Sequence, residues 1–286
     1  MLIAYKKPRG RFFIVGKPGS GPGPVPPTPS QPDDEIWYTS TDGQVVTPTK
    51  PGGIQDADGN TLNILSNTYE NDKGVIKLDG DVASFVPVGS DGVFDSCATL
   101  ASISIPDSVT SIGKYTFYDC RSLASVTIGN SVSSFGYNVF QGCNNLAYVN
   151  YTGTVDQWCE IDFANNGSNP TNYAKTLSIN GSLLTEVVIS DAVTAIGKYA
   201  FYNCENITSV TVGNSVTTIG FGAFRGCSGL VAIESLATTA PTIDSTTFRD
   251  VPENGTLTVP SGADYSAWMQ TSNYYLGSYN WTLVQQ

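Results

Sequence analysis

Six cysteines are the side chains best suited to chemistry in this 286-residue chain, and five of them keep one interval. Cys97, Cys120 and Cys143 are 23 residues apart, and Cys204 and Cys227 are again 23 apart. A thiol can serve as nucleophile, metal ligand or half of a disulfide. Zinc would need paired or histidine-assisted donors, yet the chain has no C-x-x-C pair and no histidine. The missing histidine also removes the commonest general acid–base group near neutral pH. A disulfide framework marks short secreted chains, whereas this interval is dictated by a repeat. The expectation is free thiols packed as small apolar groups. Cys159, beside Trp158, stands off the interval and reads as core.

Two other motifs fail on spacing. "FFIVGKPGSG" imitates a strand entering a phosphate-binding loop, but Gly16-Lys17 lacks the glycine five residues earlier and is followed by Pro18. "DADGN" (56–60) imitates a calcium loop, but its glycine is fourth rather than sixth and no glutamate closes it, so it reads as a tight turn. Carboxylates number 25, and no pair stands out as the acid and base of a glycosidase. No catalytic residue, metal or cofactor is expected.

The cysteine interval belongs to a longer phrase. "IPDSVTSIGKYTFYDC" (105–120) returns as "ISDAVTAIGKYAFYNC" (189–204). Phe94, Phe117, Phe140, Phe201 and Phe224 each precede a cysteine by three residues, and Leu100, Leu123, Leu146, Ile207 and Leu230 follow one by three. Then come the alternating pairs Ile103/Ile105, Val126/Ile128, Val149/Tyr151, Val187/Ile189 and Val210/Val212, with Ile112, Phe135, Trp158, Ile196 and Ile219 closing each unit. A 23-residue period with this core reads as a β-rich leucine-rich repeat solenoid, one short strand plus a turn or short helix per coil. No coil buries its apolar edge alone, so stability accumulates by stacking. With 40% hydrophobic and 14% charged residues the chain can supply that core.

The repeats place the boundaries. Residues 76–286 read as the solenoid, with degenerate units "IKLDGDVASF" (76–85) and "IESLATTAPTIDSTTF" (233–248) at its ends. One unit is 15 residues too long, and its insertion, about 159–186, contains two alternating runs around Asn180-Gly181, a hairpin signal. Residues 36–75 read as an N-terminal cap of two hairpins, one around Asp42-Gly43 and one turning at 71–74, and about 249–286 as an aromatic C-terminal cap. The outward residues of the alternating strands form a polar candidate ligand-binding face of Ser125, Thr127, Tyr148, Asn150, Glu186, Val188, Ser209 and Thr211, continued by Ser102, Ser104, Ala232 and Glu234. Tyr115, Tyr118, Tyr199 and Tyr202 read equally as a rival surface or as rings partly buried over the turns.

The first residues differ in kind. Lys6, Lys7, Arg9, Arg11 and Lys17 meet no acid before Asp33, so this segment carries +5, while the remainder sets nine cations against 25 acids, a net −16. Residues 1–20 read as a basic anchoring arm, with Phe12 and Phe13 in its apolar strand-former, and 21–35 as a Pro/Gly-rich linker. The run "FFIV" is too short for a signal-peptide core, and no stretch approaches a membrane span.

The phrase "IPDSVTSIGKYTFYDC" resembles the cysteine-containing leucine-rich repeats of the BspA-like type, found in bacterial and protist surface antigens, over about 76–248. The long unit and the ending "TLTVPSGADYSAWMQTSNYYLGSYNW" resemble segments that accompany such repeats in gut bacteria and their phages. The resemblance implies a solenoid for binding or adhesion and no catalytic site. The leading expectation is a phage fibre or decoration protein on the virion surface. Its arm would dock on a capsid or tail, and its solenoid would meet a host surface protein or glycan. A bacterial cell-surface adhesin is the alternative and a glycosidase a third class. No nucleic acid is expected as partner, and a homo-oligomer is left open.

Overall fold

The computed structural model describes residues 30–286, of which 31–286 form one compact unit. The arm residues Lys6, Lys7, Arg9, Arg11, Phe12, Phe13 and Lys17, with most of the Pro/Gly tract, lie outside the described residues.

One coil explains the rest. In the strand Ser125–Ile128, Val126 and Ile128 alternate with Ser125 and Thr127. β-Branched side chains favour extended backbone, and the alternation turns both apolar residues inward. A second strand, Ser134–Phe135, follows. The chain then turns back with Phe140 and Cys143 buried and enters Tyr148–Tyr151, which pairs in parallel with Ser125–Ile128. Each coil thus adds one long and one short strand to two separate sheets. The long strands Leu100–Ser104, Ser125–Ile128 and Tyr148–Tyr151 lie side by side, as do the short strands Ser84–Phe85, Ser111–Ile112, Ser134–Phe135 and Asp162–Phe163.

Between the sheets the phenylalanines stack coil on coil. Phe117 lies 5.6 Å from Phe94 and 5.4 Å from Phe140, and Phe224 lies 5.2 Å from Phe201 and 5.7 Å from Phe248, all near parallel. Coils this close leave no room at the glycine of the I-G phrase: a Cβ on Gly136 would meet the Lys114 nitrogen at 2.4 Å, and one on Gly220 the Lys198 nitrogen at 2.7 Å. The residue before each ladder cysteine sits in the left-handed region, with φ of 54° at Asp119, 86° at Gly142, 58° at Asn203 and 75° at Gly226. Gly, Asn and Asp tolerate that conformation best and hold four of the five slots; Ser96, at φ 57° before Cys97, is the exception.

The N-terminal cap differs from the sequence expectation. Asp42-Gly43 does form a turn, with Gly43 at φ 70° and the Gln44 N–H donating to the Asp42 carboxylate at 3.0 Å, but no hairpin follows it. Instead Glu35–Ser40 runs antiparallel between Lys73–Leu78 and Leu100–Ser104. There Ile36 and Tyr38 are buried against the first coil, and the Tyr38 hydroxyl accepts the Val46 N–H at 3.1 Å. Two long partners bury more apolar surface than a local hairpin could. The second expected hairpin is present, Ile64–Glu70 with Lys73–Leu78, closed by the two residues Asn71 and Asp72 at φ 52° and 61°.

The long unit also corrects one assignment. Trp158 does not close its coil as a strand residue, because Thr154 and Gln157 form a reciprocal capping box that starts the helix Val155–Cys159. Phe163 takes the closing position, its ring 5.2 Å from Phe135, while the Trp158 indole donates to the Ala200 carbonyl at 2.7 Å. The hairpin follows as expected, Ser178–Ile179 against Ser182–Leu183 around Asn180 and Gly181 at φ 49° and 79°. Beyond it a second long-strand sheet begins with Glu186–Val188, Ser209–Val212 and Ala232–Ser235. Thr256–Val259 and Thr282–Gln285 add two more parallel strands in what reads in sequence as an aromatic cap. Tyr265, Trp268 and Trp281 do close the core there, the two indoles each donating at 2.8 Å to the carbonyls of Pro241 and Pro252.

Phe117→Ala removes a fully buried ring from the middle of a stack and should destabilise by about 3–5 kcal/mol, with Ile112→Ala and Val126→Ala costing about 2–4. Thr127→Ala, on the outward side of the same strand as Val126, should change stability little. Denaturant titration of the four variants checks the register; equal small effects would contradict it.

Candidate functional site

The outward side chains of the long strands fall into rows fixed by the parallel register. Ser102, Ser125 and Tyr148 stand in one row and Ser104, Thr127 and Asn150 in the next. The inserted strand Glu35–Ser40 lengthens both, placing Thr39 beside Ser102 and Trp37 beside Ser104. Thr39 and Ser102 share a hydroxyl–hydroxyl hydrogen bond of 2.6 Å. Trp37 donates its indole N–H to the Glu35 carboxylate at 2.7 Å, and the Lys73 ammonium sits 3.1 Å from its ring centroid, so the ring is fixed on both counts. Around it lies an open groove of about 190 Å³ floored by Ser102, Ser104, Ser125 and Thr127.

The eight residues predicted for one ligand face do not share one sheet. Ser125, Thr127, Tyr148 and Asn150 belong to the first sheet, and Glu186, Val188, Ser209 and Thr211 to the second, with the Ser178–Leu183 hairpin ending the first. Asn150 is also engaged, its side-chain oxygen accepting the Gly181 N–H at 2.7 Å and pinning the hairpin tip. Tyr148, 41% exposed, and Val188, 63% exposed, are the large side chains of the face. Sequence reading passes over Trp37, Thr39 and Lys73 because they carry no repeat signal. The alternation in "EIWYTS", with Ile36 and Tyr38 inward, is the signal that places them.

The ladder thiols face inward. Cys120 donates to the Phe94 carbonyl at 3.0 Å, Cys143 to Phe117 at 3.0 Å and Cys227 to Phe201 at 3.1 Å, each reaching the preceding coil. All six cysteines are free, and all but Cys97 are buried. Burial pushes Cys143 and Cys204 up to about 12 and raises Cys120, Cys159 and Cys227 well above the ordinary thiol value. Thiolate chemistry needs the opposite shift.

Asp56, Asp79, Asp91, Asp119 and Asp264 are held below the usual carboxylate range by hydrogen bonds, first from Asn60, Asn63, Ser90, Arg121 and the Ser266 backbone respectively. A general acid at neutral pH needs its carboxyl raised. Among the described residues no group of His, Cys, Asp or Glu is arranged to hold a metal ion, and no helix is long and apolar enough to cross a membrane.

A family model described as the BspA type leucine rich repeat region matches in 6 copies over residues 89–182 and 178–273. No curated protein matches. Similar solved structures include a leucine-rich repeat protein of Bacteroides ovatus, 21% identical over 70% of this chain and 54% of that one, with a TM-score of 0.38. The T. pallidum leucine-rich repeat protein is 19% identical over 63% and 78% of the two chains, with a TM-score of 0.35. A leucine rich cell surface protein of Faecalibacterium prausnitzii is 19% identical over 72% and 68%, with a TM-score of 0.33. The chain spans about half the length of the Bacteroides protein, 54%.

The thiol geometry has two measurable outcomes. A thiol reagent should modify no more than Cys97 in the native protein and all six cysteines in denaturant; intact disulfides would contradict this. Below the ordinary thiol pKa of about 8.5 both folded and unfolded chains are protonated, and above it only the unfolded chain ionises. Stability is therefore flat below that value and falls as pH rises from there towards the folded value of about 12 for Cys143 and Cys204. Cys143→Ala should flatten the fall, by at most about 1.4 kcal/mol per pH unit.

Proposed function

The chain belongs to the BspA-type leucine-rich repeat family, and from that premise we propose that it is a non-enzymatic adhesion protein displayed at a surface, binding its ligand on the long-strand face. Binding and adhesion are what the family's surface-protein fold suggests. The observation that carries the choice of face is the double row Trp37–Ser104–Thr127 and Thr39–Ser102–Ser125, a flat hydroxyl lattice ending in a fixed indole beside an open groove. Such a surface offers many directional contacts with little charge, and aromatic anchors are the residues that carry binding energy in interfaces. The non-enzymatic reading is supported by thiols turned inward with raised pKa and by a sequence without histidine.

The finer reading is a fibre or decoration protein of a phage virion. Its support is the charge division, an arm of +5 against −16 for the remainder, which suits an arm that docks on an acidic groove or adds a strand to a larger protein while the solenoid stays clear. Attachment to a bacterial cell surface accords equally with the family.

Two measurements separate these statements. Deleting residues 1–29 should leave thermal unfolding of the repeats unchanged and abolish incorporation into the parent particle. The cut falls before Gln31, whose amide donates to the Glu35 and Ser104 carbonyls at 2.7 and 3.1 Å and so belongs to the fold. Normal assembly of the truncated protein would overturn the virion reading, and recovery of the full chain with cell envelopes would favour the cell-surface form. Independently, Thr127→Arg fills the groove at an outward position, and it should abolish adhesion to host cells without changing the melting temperature.

A further inference from the structure

The turns build a second surface that the adhesive face does not use. Two residues before four of the five ladder phenylalanines stand Tyr115, Asn138, Tyr199 and Gly222, all left-handed, with φ of 61°, 57°, 60° and 61°. Glycine and asparagine accept that region readily, whereas a bulky aromatic residue there is strained. Yet tyrosine occupies it in two coils, and each time a second tyrosine follows three residues later. The rings of Tyr115 and Tyr118 lie 5.5 Å apart at 89°, and those of Tyr199 and Tyr202 lie 5.8 Å apart at 68°. Strain kept twice in the same slot marks both turns; Tyr115, Tyr118 and Tyr199 are half-buried there, Tyr199 against the core, and Tyr202 is buried.

The neighbouring coils extend each pair outward. Tyr137, 60% exposed, lies one coil beyond Tyr115, whose N–H donates to the Tyr137 carbonyl at 3.1 Å. Phe221, 43% exposed, holds the same place beside Tyr199, ring centroids 5.5 Å apart. Tyr115 and Tyr118 wall an open groove of about 430 Å³ whose remaining lining is Ser90, Asp95, Asn138 and Gln141. Aromatic faces set among a hydroxyl, a carboxylate and two amides are the chemistry of sugar recognition, in which apolar C–H faces stack on rings and hydroxyls take directional hydrogen bonds. The net −16 outside the arm disfavours anionic glycans.

The ligand must also be long. Hydrogen bonds step from Tyr115 to the coil of Tyr137, from Asn138 to Asn165 and from Asn169 to Tyr199, so three coil steps separate the two tyrosine pairs. At ~4.8 Å per step the pairs are about 14 Å apart. We infer that the turn flank is a platform for a neutral oligosaccharide chain lying along the solenoid, with Tyr115 and Tyr118 at one end and Phe221, beside half-buried Tyr199, at the other. It rests on the adhesion reading only in requiring a displayed protein, and it shares no residue with the strand face.

The test titrates the full chain with linear hexasaccharides of glucose, mannose and N-acetylglucosamine, and with a polyuronate of matched length, by saturation-transfer NMR and calorimetry. At least one neutral hexasaccharide should bind, with saturation transfer to tyrosine-proximal sugar C–H groups. Tyr118→Ala and Phe221→Ala should each weaken it about tenfold. Tyr118→Phe, which keeps the ring, should retain most of the affinity and guards against loss through misfolding. Thr127→Arg should leave glycan binding intact even where it abolishes adhesion, so failure of the strand-face reading stays distinguishable. The proposal is overturned if no neutral hexasaccharide binds, if the polyuronate binds as well as the best of them, or if Thr127→Arg rather than Tyr118→Ala removes the binding.

Discussion

Backbone pairing between successive coils sets the distance to which everything else in this protein conforms. Parallel strands about 4.8 Å apart must carry their side chains at the same spacing, and only certain residues tolerate it. Flat phenylalanine rings stack near parallel at 5.2–5.7 Å down the interior. A thiol is small enough to fit at that spacing, and Cys120, Cys143 and Cys227 still donate to the carbonyl of the coil before. The I-G glycine is required because the neighbouring backbone occupies the place of its Cβ. The cysteine, phenylalanine and glycine of the repeat are three answers to one steric demand.

A stack of this kind has open ends and cannot absorb an irregular coil without consequence. At the N-terminal end the antiparallel strand Glu35–Ser40 covers the first coil and brings the Ile64–Leu78 hairpin with it. At the other end Trp268 and Trp281 turn their apolar rings inward and satisfy their indole N–H groups on proline carbonyls. Within the array, the helix Val155–Cys159 and the Ser178–Leu183 hairpin replace the regular strands of one coil, and the sheets on either side part there. The interior survives the interruption because Trp158 fills it and bonds across to Ala200.

Because the demands of stacking are met inside, the outward positions are free to vary, and they vary differently on the two flanks. The long-strand rows keep small hydroxyl residues and end in Trp37 and Lys73. The turns carry exposed rings at Tyr137 and Phe221, beside half-buried Tyr115 and Tyr199 on backbone that a tyrosine does not ordinarily adopt. Five of the six thiols are locked in the core, so the chemistry that varies lies on the surface.

Much of this was legible in the sequence because a repeat announces its own register. The 23-residue interval, the inward Val-x-Ile pairs, the free thiols and the Asn180-Gly181 hairpin each follow from local rules of period, side-chain volume and turn chemistry. What escaped depended on non-local choice. Nothing near Asp42-Gly43 says that Glu35–Ser40 will pair with residues 73–78 and 100–104 instead of folding back on itself. That was decided by the apolar edge of the first coil, which Ile36 and Tyr38 cover. Likewise the capping box at Thr154 outranked the repeat's claim on Trp158, and the first long-strand sheet ran on past that helix to end at the Ser178–Leu183 hairpin. The sequence determined the coil, since every contact within it recurs at one separation. Only the tertiary structure decided the ends, the interruption and the company of Trp37, because those rest on surfaces that exist only once the coils have stacked.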